Sequence, residues 1–205
     1  MSLHVSPSAV VAVDVARCTD FSALVAVGSD SAVLFLDRWK PRPTWTDLVE
    51  KTVRLSEHPS LYGPPVIVDA SAEGGRQVLQ LLARNLNPAV RLYGAVTTAS
   101  TKPPKQLRDG RILIPKRDLV AGLVDEVTSG RLRVPASLPN GHVLIRELNT
   151  FRAKRDDSGA VRWEAERVSD HDDTVDAVAL AVWLHRLLRH RQGIGGLSFI
   201  RRTPL

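Results

Sequence analysis

Between residues 64 and 70 the chain reads PPVIVDA, an apolar run without the alternating polarity of a strand that shows one face to water. A strand built from it must be covered on both faces, as the central strands of layered α/β folds are. Its surroundings supply the layers. Residues 10–16, 22–28 and 32–38 are short β-branched runs separated by ARCTD and GSDS, which predicts an antiparallel meander. Apolar positions at helical spacing predict a helix from Trp45 to about His58, bracketed by Pro43 and Pro59, and another from about Arg76 to Asn85. Residues 90–98 predict a further strand, and 101–110 a polar, proline-containing loop. A helix over 116–129 ends at Gly130, a natural C-cap, and LRV after it predicts a short strand. A helix over 142–152 carries Glu147, a hairpin turns at DDSG with Val161 and Trp163 on one face, and a final helix spans about 173–190. The pattern predicts one α/β domain over 1–205, a mixed sheet of meander plus parallel strands flanked by helices, with a basic tail at about 191–205.

Three sets of carboxylates are placed where a charge is costly without a partner. Asp14 lies in VVAVDVA, Asp69 ends VIVDA, and Asp172, Asp173 and Asp176 open the apolar helix of HDDTVDAVALAVW. Asp173 and Asp176 are three apart, and Asp172 and Asp176 four, so they share a helix face where the dipole favours negative charge. One such acid would serve as an N-cap, yet capping uses one and leaves the others repelling. Asp69 taken alone would suit a turn cap, and Asp14 an edge strand. Asp69 is followed by SAEGG, and ligands of open α/β sheets gather outside the carboxyl ends of strands. Together the acids predict a hard-cation site, since Mg²⁺ takes oxygen ligands and convergent carboxylates can hold a pair of ions against a phosphodiester. A nucleotide-gripping turn of the actin-like or sugar-kinase type would need glycine after the first strand, and ARCTD has none.

The formal net charge of +6 favours a polyanionic partner. Candidate phosphate contacts are Lys102, Lys105, Arg108 and Lys116, followed by Arg152, Lys154 and Arg155 on the hairpin. The single cysteine, Cys18, rules out an intrachain disulfide, and the N-terminus lacks a signal-peptide pattern. No apolar run approaches the ~20 residues of a membrane span, so a cytosolic protein without a membrane partner is expected. His142, His171 and His185 have no zinc-site spacing and read as surface or supporting residues. Of the four tryptophans only Trp163, on the basic hairpin, is a candidate for DNA contact.

The order of VAVDVARCTDFSALVAVG, VIVDASAEGGRQVLQLL, PKRDLVAGLVDEVTSGRLRV, IRELNTFRAKRDDSGAVRWEA and HDDTVDAVALAVW resembles the C-terminal nuclease domain of phage terminase large subunits. The resemblance implies a ribonuclease H-like fold and a metal-dependent endonuclease that cleaves double-stranded DNA during genome packaging. It implies that Asp14, Asp69 and Asp173 hold two Mg²⁺ or Mn²⁺ ions, with Asp172 and Asp176 able to substitute or orient, and Asp20 and His171 secondary. It further implies a phage or prophage origin, action in the bacterial cytoplasm, and a separate packaging ATPase, small terminase subunit and portal as partners. The 205 residues contain no G-x-x-x-x-G-K-[ST] phosphate loop, so the motor must lie elsewhere. Two alternatives stay open: a Holliday-junction-resolvase-like nuclease, and a non-catalytic DNA-binding domain of the same fold.

Overall fold

The computed structural model describes residues 9–15, 21–39, 44–155, 161–165 and 172–189, with backbone alone at 152–155 and 161–165. Strands β1 (Ala9–Asp14), β2 (Ser22–Gly28) and β3 (Val33–Trp39) form the expected antiparallel meander. Helix α1 (Trp45–Ser56) opens with a capping box in which Thr44 and Asp47 satisfy each other's backbone N–H. It stops short of the predicted end, and a single 3₁₀ turn at Pro59–Leu61 leads into β4 (Val66–Asp69). Then come α2 (Glu73–Asn85), β5 (Leu92–Thr98), β6 (Lys105–Gln106) and β7 (Ile112–Pro115). The chain closes with α3 (Lys116–Thr128), α4 (Gly141–Thr150), the hairpin β8 (Phe151–Arg155) and β9 (Val161–Ala165), and α5 (Asp173–Arg189).

Seven strands make one sheet in the order β3-β2-β1-β4-β5-β7-β6. Strand β4 is central and parallel to both β1 and β5, and β5 is parallel to β7. The unalternating VIV run follows from that position. Ile67 packs toward α3, α4 and α5, whereas Val66 and Val68 pack toward α1 and α2, and all three are buried. Strand parity sorts the neighbours likewise: Val10 and Ala12 face the α5 side, Val11 and Val13 the other.

Four elements differ from the sequence expectation. Residues 105–106, within the expected loop of 101–110, pair with 112–115, for which no element was expected, as a hairpin at the sheet edge. LRV forms no strand; it contributes a single bridge between Arg133 and Ala32, because Arg131 and Leu132 donate back to the Glu126 carbonyl as the chain leaves α3. Gly130 does end α3 with a left-handed φ of 68°. Helix α2 begins at Glu73, so Gly74 and Gly75 lie in its first turn. His185 is buried, contrary to the surface reading, because α5 is enclosed by β1, β2 and α3. Burial lowers its pKa. Among the described residues, no helix is long and apolar enough to cross a membrane.

Candidate metal centre

Register and parity bring the acids together. Val13 pairs with Val68 across the parallel β1–β4 ladder, so one step further Asp14 and Asp69 end adjacent strands side by side. Both continue the parity of Ala12 and Ile67, which places them on the face that α5 covers. The first turn of α5 brings Asp172, Asp173 and Asp176 to that edge. Asp173 is buried, and Asp14, Asp69, Asp172 and Asp176 are partly exposed. Burial, and then the charges of Asp69, Asp176, Asp173 and Asp172, raise the Asp14 carboxyl well above the usual carboxylate range. Five carboxylates from three separate segments of the chain therefore share one field.

A lysine stands beside Asp172 and Asp176. Lys116, at the start of α3, donates from Nζ to Asp176 Oδ2 at 3.0 Å and lies 3.9 Å from Asp172 Oδ2. Burial opposes its charge, yet Asp176, Asp172 and Asp14 outweigh burial and leave its pKa raised. Its Nζ is also 5.9 Å from the centroid of Phe151, at the root of the β8–β9 hairpin. Asp176 remains raised to about 6 by burial, even with Lys116 beside it.

The remaining carboxylates have fixed orientations. Asp69 Oδ1 accepts from the Ser71 N–H at 2.8 Å and the Ser71 hydroxyl at 2.5 Å, and Ser71 Oγ in turn accepts from the Thr97 N–H at 2.9 Å. The turn after β4 is thereby tied to β5. The Thr174 N–H in the first turn of α5 donates to Glu147 Oε2 of α4 at 3.0 Å, and its hydroxyl to the same oxygen at 2.5 Å. A different helix thus satisfies this N–H, one of the open donors of the first turn. Glu147 is raised to about 7, chiefly by burial, with Thr174 and Arg38 opposing.

Among the described residues, no three His, Cys, Asp or Glu groups are gathered closely enough to hold a metal as they stand. The donor set nevertheless fits a hard divalent cation. It consists of carboxylate oxygens, its five acids outnumber the two cations beside them, Lys116 and Arg38, and burial together with the neighbouring acids holds Asp14 against ionisation.

Of the predicted phosphate contacts, Lys102, Lys105 and Arg108 are exposed around the β6–β7 hairpin. Arg111 Nη1 donates to the carbonyl of Ala70 at 3.1 Å, which fixes that hairpin beside the residue after Asp69. Lys116 faces the acids instead. Arg152, Lys154 and Arg155 lie on β8, and Trp163 on β9, where side chains are outside the described residues. Asp20, His171 and the tail 191–205 lie outside them too. Arg38, Ser71 and the role of Glu147 escaped the sequence reading. Arg38 left a faint signal, since it shares strand parity with the buried Leu36, and D-A-S is a side-chain turn pattern.

The raised carboxyls have a stability consequence. Asp176 has a folded pKa above its unfolded value, so its contribution is fully present below about pH 4 and is lost as pH rises through about 6. His185, with a lowered pKa, works in the opposite sense, so a difference measurement isolates the acid. In EDTA, the melting temperature of Asp176→Asn minus that of wild type should grow between pH 5 and pH 7.5. A flat difference would show that the carboxyl is not held protonated by the fold.

A meander continuing into parallel strands, with carboxylates at the ends of the first and fourth strands and on a final helix, defines a ribonuclease H-like protein. More particularly, the family model described as Terminase RNaseH-like domain matches residues 11–184, and the chain belongs to that family. The fold is similar to the large terminase nuclease of thermophilic phage G20c solved with bound magnesium, with 24% identity, TM-score 0.65, and 86% and 80% of the two chains covered. It is also similar to the nuclease domain of the large terminase subunit of bacterial virus Sf6 solved with manganese and beta-thujaplicinol, at 10% identity, TM-score 0.63, and 85% and 87% coverage. Against the HK97 bacteriophage large terminase the identity is 16% and the TM-score 0.53, with 90% of this chain and 40% of that one covered. No curated protein matches the chain.

Proposed function

We propose that this chain is a metal-dependent endonuclease that cuts double-stranded DNA, as the nuclease part of a phage packaging terminase. The observation that carries the reading is the convergence of Asp14, Asp69 and the α5 acids on one sheet edge, with Asp14 repelled by all the others. Membership of the terminase RNaseH-like family and the magnesium and manganese in the two similar nuclease structures support it.

Asp14, Asp69 and Asp173 would hold two Mg²⁺ or Mn²⁺ ions, with Asp172 and Asp176 completing the oxygen set. Bound there, such ions supply the charge that polarises a scissile phosphate, acidifies an attacking water and stabilises the leaving 3′ oxygen. Asp14 ends β1, between Ala23 of β2 and Asp69 of β4, and would be one of the residues that hold the ions. Ser71 occupies Oδ1 of Asp69 and so turns Oδ2 toward the site. Lys116 neutralises part of the cluster and holds Asp176 back, so the number of acids open to metal depends on it. Lys102, Lys105 and Arg108 border the Asp69 side and would grip the phosphate backbone without reading bases, joined by Arg152, Lys154 and Arg155 from the hairpin. Asp20 and His171 would be secondary to these acids. The motor would be a packaging ATPase, with the small terminase subunit and portal as further partners, all in the cytoplasm of the bacterial host.

Substrate class is the test. With Mn²⁺, linear duplex and a four-way junction of equal length should be cut at rates within about tenfold of one another, one decade corresponding to about 1.4 kcal/mol of barrier. Strong preference for the junction would replace this reading with a resolvase.

A further inference from the structure

The same cross-strand register that aligns Asp14 with Asp69 extends the other way. Asp14 pairs with Ala23 on β2, and Ala23 pairs with Arg38 on β3, so Arg38, Ala23, Asp14 and Asp69 form a row across four strands. Ala23 and Leu36, and hence Arg38, face α5. Ala23 has only a methyl group, and the space above it admits the first turn of α5 between Arg38 and Asp14. One guanidinium nitrogen of Arg38, Nη2, lies 3.4 Å from Asp173 Oδ2 and 3.3 Å from Glu147 Oε1. The guanidinium sits over the Phe21 ring at 3.6 Å from the centroid, which holds its plane. The side chains of Arg38, Glu147 and Asp173 are 10%, 4% and 8% exposed. Glu147 Oε2, meanwhile, takes the Thr174 N–H and hydroxyl.

A buried ion pair of this kind is poor evidence for stability, because apolar replacement of both partners is commonly neutral or better. Its geometry suits another task. We propose that Arg38 and Glu147 are positioning residues for the metal centre: Arg38 holds Asp173 at Oδ2, Glu147 locks the first turn of α5, and together they fix the orientation of the Asp173 carboxylate. This rests on the metal-centre reading above. Removing such outer partners from a metal ligand typically costs 10–100-fold in affinity.

The test is Mn²⁺ binding to the full chain by calorimetry, with melting in EDTA as the control for folding. The double variant Arg38→Met with Glu147→Gln, compared with wild type at pH 8 where Glu147 is largely ionised, removes one positive and one negative charge, takes the guanidinium away from Asp173, and keeps an acceptor for Thr174. Because net charge is unchanged, any loss of affinity reports orientation and not field strength. Binding should weaken about tenfold or more while the metal-free melting temperature stays near that of wild type. Arg38→Lys, which keeps the charge without the planar stack on Phe21, should retain part of the affinity. Binding in the double variant as tight as wild type overturns the proposal, and if that variant fails to fold, unchanged binding in Arg38→Lys overturns it. Asp14→Asn separates the two readings: loss of binding there with full binding in the Arg38 variants refutes only the positioning role, whereas a wild type that binds no Mn²⁺ refutes both.

Discussion

Asp14→Asn is expected to abolish divalent-metal binding and lower DNA cleavage by more than about 100-fold, the upper cost of losing an outer partner, while raising the melting temperature of the metal-free protein. The two effects share one cause. Burial opposes the charge of Asp14 and four other carboxylates repel it further, so that charge is destabilising until a cation arrives. Asparagine keeps the shape and removes the charge. Relief of even about 1 kcal/mol would raise the midpoint by roughly 2–4 °C for a domain of this size. An acid with a purely structural role would give the opposite result, a destabilised protein. Asp14→Asn that melts lower than wild type in EDTA would therefore count against the site even if cleavage were lost.

Gly75→Ala should be strongly destabilising. A Cβ built on Gly75 would lie 1.9 Å from the Asp69 carbonyl oxygen and 3.0 Å from Ala70 Cα, both backbone atoms that cannot rotate away. In an open helix, glycine to alanine would gain up to about 1 kcal/mol. Here the clash forces α2 away from the end of β4, and a cost of about 3 kcal/mol or more is expected, at the upper end of overpacking effects. Because the displaced segment carries Asp69 and Ser71, metal affinity should fall with stability. Gly74→Ala is the internal control. Its Cβ meets the Trp45 ring edge at 2.8 Å, a side chain that can shift, so the loss should be clearly smaller. Denaturant unfolding of both variants, with Mn²⁺ titration, checks the ranking. Equal stability of Gly75→Ala and wild type would mean that α2 does not approach β4 as described.

The layered fold and the acids were legible because both follow period and parity. The unalternating VIV run required a central strand, the three β-branched runs required a meander, and Asp14 and Asp69 ended strands that could only be neighbours once β1 and β4 were parallel. What escaped was set by distant contacts. Strand β7 is four residues long and ends in proline, so ILIP carried little strand signal against the helix that follows it. The glycine pair after Asp69 reads locally as a loop, yet close packing on β4 lets α2 start there. Arg38 has no local motif, since its partners come from α4 and α5 and meet it only across the finished sheet. Lys116 read as one more basic residue of a phosphate-binding loop, and nothing in PKRD shows that its side chain turns back toward Asp176.

The central claim is that these carboxylates make the chain a metal-dependent DNA nuclease. The most direct test is incubation of supercoiled plasmid with the wild-type protein in Mn²⁺, in Mg²⁺ and in EDTA, with products resolved on a gel. The account predicts nicked and linear DNA with metal and intact plasmid in EDTA. Cleavage that persists in EDTA, or a folded protein that binds the plasmid and cuts it with neither metal, would contradict it.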